Sequence, residues 1–196
     1  MVRPQRNRLT LKDRVKPPVR VLLVGINPGV RSATIGHHFA GYSNRFWKLL
    51  FESRLVPEQL SPEDDGRLPE WGYGITNLIP RCTPGIDTLT PDEYAAGARR
   101  LRRKVRRWRP EIVAFLGVSL FRAVFPRSGA RGKSRPILVG LQPERFEGAQ
   151  VFVLPNPSGR NAHYTYDAML KAFKSLRRRR PKPPDQAAVR LRGNPR

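Results

Sequence analysis

Val21-Leu22-Leu23-Val24-Gly25-Ile26-Asn27-Pro28-Gly29 decides how this chain is read, and Val151-Phe152-Val153-Leu154-Pro155-Asn156-Pro157-Ser158-Gly159 repeats its plan. Each is a short run of Val, Leu, Ile or Phe that stops at an Asn-Pro turn. Runs apolar at every position, rather than at alternate ones, suit strands buried on both faces of a parallel sheet. In such sheets the ligand crevice lies beyond the carboxyl ends of the strands. Two rigid loops placed there, each with a carboxamide and Gly-exposed N–H groups, can converge on one polar ligand. Asn, Pro and Gly are also ordinary turn residues, so the argument for a site rests on the pair.

Outward from these runs, helices and strands alternate. Ser43 is placed to cap a helix carrying Phe46, Trp47, Leu49 and Leu50. Gly74–Ile79 reads as a second strand. Thr90-Pro91-Asp92-Glu93 is a capping box with Pro at the first helical position. The helix it opens carries Tyr94, Ala98, Leu101, Val105 and Trp108 on one face and a run of Arg and Lys on the other. Pro110 ends it, Ile112–Leu116 forms a third strand, and a short helix follows over Ser119–Phe125. Pro136–Val139 is expected as an edge strand, and a last helix near Tyr166–Leu176 closes the body. The pattern predicts a three-layer α/β/α domain around a central, mostly parallel sheet. Its expected limits are 19–176, after a basic flexible lead over 1–18 and before a basic, Pro-rich, disordered tail over 177–196.

The 196 residues carry a formal charge of +23. Residues 1–19 hold +5 and residues 177–196 hold +7, so +11 remains on the body. A basic body, rather than basic tails alone, points to a polyanion, with nucleic acid first. The single Cys82 excludes an internal disulfide framework and a Cys-rich zinc or iron–sulfur site. No apolar stretch has the length of a membrane span, so a soluble, cytoplasmic, nucleoid-associated protein without membrane partners is expected.

Several motif matches fail. Gly129-Ala130-Arg131-Gly132-Lys133-Ser134 ends like a phosphate-binding loop, but Arg127 stands where its first Gly is required. Gly72-Tyr73-Gly74 lacks the third Gly of a dinucleotide fingerprint. The adjacent His37 and His38 have no nearby Cys or His to complete a metal set, so neither metal nor cofactor is expected.

The order of the remaining motifs is more specific. Gly25-Ile26-Asn27-Pro28-Gly29 is followed by Phe39-Ala40, Asn44-Arg45-Phe46-Trp47 and Gly74-Ile75-Thr76-Asn77-Leu78. Arg81-Cys82-Thr83 and Asn156-Pro157-Ser158-Gly159 then complete the series. Over nearly the whole body this resembles the mismatch-specific uracil/thymine-DNA glycosylases of the uracil-DNA glycosylase superfamily, whose fold is α/β/α. The resemblance implies removal of uracil, mismatched thymine or related damaged pyrimidines from double-stranded DNA, or of uracil from single strands, by a monomer that leaves an abasic site. It implies that Asn27 positions the attacking water. Phe39 would stack on the flipped base, with main-chain groups around Ile26 and Phe39 reading its polar edge. Ser32 would lie against the pyrimidine C5 side and Asn156 would donate to the base. Ser158, Gly159, Arg160 and Asn161 would supply the wedge and read the opposite base. The commoner pattern has Leu where Arg160 stands and Ser where Asn161 stands, so strict dependence on a mismatched guanine does not follow.

An amide oxygen barely holds a proton at neutral pH, which makes Asn27 a poor general base. Asp87 lies in the loop after Arg81–Gly85, at a position where the family requires no acid. Facing the pocket, it would orient or deprotonate the water and stabilise a cationic sugar. Facing away, it would make a local turn before Thr90, and both readings stand at this level. The competing function is a noncatalytic basic DNA- or RNA-binding protein on the same fold. A phosphate-cleaving nuclease is disfavoured because no acidic metal cluster lies near either loop.

Overall fold

The structure, a computed structural model, describes residues 10–126 and 138–179. The Gly129–Ser134 loop, Pro136-Ile137 and the basic stretch from 180 onward lie outside the described residues. Five strands form one sheet: β1 (Val21–Gly25), β2 (Tyr73–Asn77), β3 (Ile112–Leu116), β4 (Gly140–Phe146) and β5 (Ala149–Leu154). Their spatial order is β2-β1-β3-β5-β4, parallel throughout except for the antiparallel edge strand β4. Among the described residues there are five helices: α1 (Val30–Ile35), α2 (Phe46–Glu52), α3 (Pro91–Trp108), α4 (Val118–Val124) and α5 (Tyr166–Arg179). Two 3-10 segments, Pro62–Trp71 and Ile86–Thr88, flank β2.

Strand β1 shows why its run is apolar at every position. Successive side chains leave a strand on opposite faces. Val21 and Leu23 join Phe46, Leu49, Leu50, Met169 and Phe173 of α2 and α5 on one side. Leu22 and Val24 join Leu101, Val105, Leu120 and Phe121 of α3 and α4 on the other. Two cores separated by one sheet make the three-layer α/β/α architecture that the sequence predicts. The carboxyl ends of β1 and β5 bring both Asn-Pro loops to the same end of the sheet.

Local expectations shift in four places. The edge strand begins at Gly140, past Pro136–Val139, and alternates exposed with part-buried residues, so it lacks the apolar signature of β1. Helix α2 is stabilised by Asn44, whose Oδ1 accepts from Phe46 N at 2.9 Å, whereas Ser43 makes no cap bond. Helix α5 runs on through Arg177–Arg179, where cations suit the negative end of the helix dipole. The expected flexible lead is docked over part of its length: Arg14 exchanges both main-chain hydrogen bonds with Ile75 on the edge of β2. The Thr90/Glu93 capping box is present as expected, and Arg109 in the left-handed region ends α3 ahead of Pro110.

Candidate active site

Asn27 leaves β1 at its carboxyl end and is clamped from one side. Its Nδ2 donates to Thr83 Oγ1 at 2.7 Å, to Arg81 O at 3.2 Å and to Pro28 O at 3.3 Å. Three acceptors around the nitrogen decide the amide orientation. The oxygen points away from them and accepts no hydrogen bond from a described residue. Thr83 Oγ1 in turn donates a hydrogen bond to Gly85 O. The main chain is cross-tied as well: Leu78 N bonds Gly25 O at 2.9 Å, Ile79 N bonds Ile26 O at 2.8 Å and Thr83 N bonds Pro28 O at 3.1 Å. The carbonyl of Ile26 therefore already accepts one hydrogen bond.

Phe39 forms the second wall. It stands at φ 54°, with its ring stacked 4.1 Å from Phe46 and its edge over Gly25. A Cβ at Gly25 would lie 2.6 Å from Asn77 Oδ1 and 3.4 Å from the Phe39 ring, so only glycine admits both neighbours. Ser32 is buried beneath this turn, and its Oγ accepts from Ala40 N at 2.9 Å. It shapes the wall through Ala40.

The second loop leaves the same end of the sheet with β3 between it and the first. The Asn156 Cβ lies 3.6 Å from where a side chain at Gly117, just past β3, would begin. Asn156 Oδ1 accepts from Ser158 N at 3.0 Å, which leaves its Nδ2 as the outward donor. Ser158 Oγ accepts from Arg160 N at 3.3 Å. Gly159 is pressed onto Ser43, where a Cβ would come within 2.4 Å of the serine side chain. Asn161 braces the loop: its Nδ2 donates to Asn156 O at 2.8 Å and its Oδ1 accepts from His163 N at 3.1 Å, which leaves one further donor hydrogen on the amide. Arg160 is exposed and reaches across to Pro84 O at 2.9 Å, joining the second loop to the one that carries Asp87.

That third loop is closed at its ends by Arg81 and Glu93, a bidentate pair at 2.7 and 2.9 Å. The Arg81 guanidinium, followed by the Thr90 N–H, holds the Glu93 carboxyl down at about 2. Asp87 sits between these ends, exposed, and makes no hydrogen bond or ion pair with a described residue. Its Oδ2 folds back to 3.3 Å from where a Gly85 side chain would begin, and Arg160 Nη1 lies 3.4 Å from the same point.

The roles of two residues behind Asn77, Asp65 and His38, escape sequence reading. Asp65, almost fully buried, accepts from Arg14 Nε at 2.8 Å and from His38 N at 2.9 Å, with His37 Nδ1 at 3.2 Å. His38 sets its Nε2 3.0 Å from Lys12 O and its Nδ1 3.4 Å from Asn77 Nδ2. Donation from Nε2 to Lys12 O and acceptance at Nδ1 require the neutral ring. Burial pushes the His38 imidazole below its ordinary 6.5. A proton then binds the unfolded chain more readily than the folded one, so stability is lost as pH falls below about 6.5. Urea unfolding between pH 8 and 5 is expected to show that decline, flattened in His38→Gln; an equal slope in both proteins would refute the assignment.

Among the described residues no cluster of three or more His, Cys, Asp or Glu is arranged to hold a metal ion. A groove lined by Phe51, Glu52, Leu55, Val56 and Trp71 lies at the far end of α2 and contains neither Asn-Pro loop.

The family model of the uracil DNA glycosylase superfamily matches residues 13–177, a span that contains both Asn-Pro loops, the Arg81–Glu93 loop and the Asp65 network. The chain belongs to the uracil DNA glycosylase superfamily. Superfamily membership makes DNA its substrate and glycosidic cleavage its general activity. The match begins at Asp13, inside the docked lead, in keeping with the pairing of Arg14 to β2.

Proposed function

We propose that this superfamily member is a monofunctional glycosylase that hydrolyses the N-glycosidic bond of uracil in DNA and leaves an abasic site. The observation that carries the reading is the clamped Asn27 amide, whose free oxygen stands beside a wall made by Phe39 and Asn77. Reaching the bond requires the nucleotide to leave the base stack. The flipped base would lie on the Phe39 ring, with the Asn156 Nδ2 donating to an oxygen on which charge accumulates. Donors fixed before the reaction stabilise such charge without reorganising.

The Asn27 oxygen would accept a hydrogen bond from water and aim it at C1′. As the glycosidic bond breaks, its electron pair leaves with the base, C1′ gains cationic character and the water oxygen bonds to it. The water proton then needs a stronger acceptor than an amide. Asp87 supports that role because it is exposed, uses none of its oxygens in a local turn and folds over Gly85, the acceptor at the end of the Asn27–Thr83 relay. Gly159 and Arg160 would fill the vacated stack, with Arg160 exchanging Pro84 O for DNA.

A panel of single-turnover assays on U·G, U·A, T·G and single-stranded uracil tests the proposal. Abasic sites revealed by alkali above the enzyme-free control are the expected result on uracil substrates. Tight binding with no alkali-labile product would favour the noncatalytic binding protein, and Mg²⁺-dependent scission without alkali would favour a nuclease.

A further inference from the structure

Helix α3 carries seven cations between Arg99 and Arg107, and the fold neutralises only some of them. Glu147, at the β4–β5 turn, takes Arg102 at 2.9 Å and also bonds Arg106. Asp13 takes Lys104 at 2.8 Å. Arg99, Arg100, Arg103 and Arg107 have no acidic partner among the described residues. At about 100° per residue, with Leu101 and Val105 turned to the core, Arg99, Arg103 and Arg107 fall on the outward side and Arg100 beside them. Arg99/Arg103 and Arg103/Arg107 are like charges four residues apart, an arrangement that disfavours an isolated helix. The acids of the fold thus lie on the flanks of α3 and leave an uncompensated stripe along its crest.

The stripe runs away from the pocket. Helix α3 starts beside the Asp87 loop, at the carboxyl end of β2, and ends just before the amino end of β3, at the opposite end of the sheet. Arg99 to Arg107 covers about 12 Å along the helix axis. A DNA strand presents one phosphate per about 3.4 Å of its axis, so this length faces about three or four phosphates. Four guanidiniums over that span match the density of a single phosphodiester backbone.

We infer that Arg99, Arg100, Arg103 and Arg107 form a second DNA-backbone contact, separate from the base pocket, that holds duplex without regard to sequence. The contact rests on DNA being the superfamily's substrate and does not depend on which base is excised. It would let the protein keep hold of one segment of DNA while the pocket end samples another.

The test compares the full chain with Arg99→Gln/Arg100→Gln/Arg103→Gln/Arg107→Gln on uracil-free duplex across a salt series. Loss of three or four phosphate contacts is expected to reduce the slope of log affinity against log salt by about three. The Arg103→Gln single variant is expected to reduce it by about one, and the four-lysine replacement to retain it. Removing Arg102 and Arg106 instead is expected to change it by less than one. Single-turnover excision from a uracil duplex at saturating enzyme is expected to stay within about twofold of wild type, and the quadruple variant to unfold no earlier. An unchanged slope would overturn the inference. So would a parallel collapse of the saturating excision rate, which would place the stripe inside the pocket's footprint. Loss of binding to phosphatidylglycerol vesicles with DNA binding intact would overturn it in favour of a membrane surface. Absence of excision in the wild type, with the slope change present, would refute the glycosylase proposal and leave this contact standing.

Discussion

Replacing Asp87 with alanine is expected to lower single-turnover uracil excision more than tenfold and to leave the unfolding midpoint where it is. The two halves of that expectation share one cause. Asp87 is exposed and holds no other part of the chain through a hydrogen bond or ion pair, so its removal orphans no donor. Yet its carboxylate lies over Gly85, one residue group from the Thr83 hydroxyl that orients Asn27. A positioned general base contributes on the order of a hundredfold or more to such reactions. Asn27 alone would supply geometry without basicity. Asp87→Asn separates charge from shape and is expected to fall nearly as far as alanine. Rates within twofold of wild type for both variants would end the proposal and return the residue to an ordinary loop position.

The second large effect is on folding. Asp65→Ala is expected to cost about 2–3 kcal/mol, because it strips buried partners from Arg14 and from the His38 N–H at once. Arg14 keeps a quarter of its side chain exposed, so solvent recovers part of the loss. For a domain of this size the midpoint should fall by about 5–10 °C. Asp65→Asn retains an acceptor for His38 and should lose about half as much. A shift below about 2 °C for the alanine variant would show that the network contributes little.

Much of the architecture is legible in the chain because three strands are buried on both faces. β1 and β3 are apolar at every position and β5 at all but Gln150, and the Thr90/Glu93 box marks the start of α3 within one residue. The edge strand β4 reads Gly-Leu-Gln-Pro-Glu-Arg-Phe, which has neither signature, and its pairing is set by β5 rather than by its own composition. The lead follows the same rule over its described residues 13–15. Its Pro and basic content suggests an unfolded segment, whereas Arg14, Val15 and Asp13 find partners 51–91 residues away.

The site divides in the same way. Asn27, Asn156 and Arg160 announce themselves through local motifs. Asp65 and His38 are joined across 27 residues and lack any shared local pattern. The adjacent His37 and His38 give no local sign of a structural role, and only burial reveals one of the pair as a neutral strut between Lys12 and Asn77. Asn161, in the second loop, also ties that loop to Asn156 and His163, bonds that no local motif announces.

The docking of Lys12–Val15 also draws the practical boundary of the functional unit. A chain shortened to begin at Val19 would lack the carbonyl that receives the His38 ring, the guanidinium beside Asp65 and the counter-ion of Lys104. The shortest piece worth expressing therefore starts ahead of Lys12. Residues that look like a leader in composition serve as a brace on the back of the pocket.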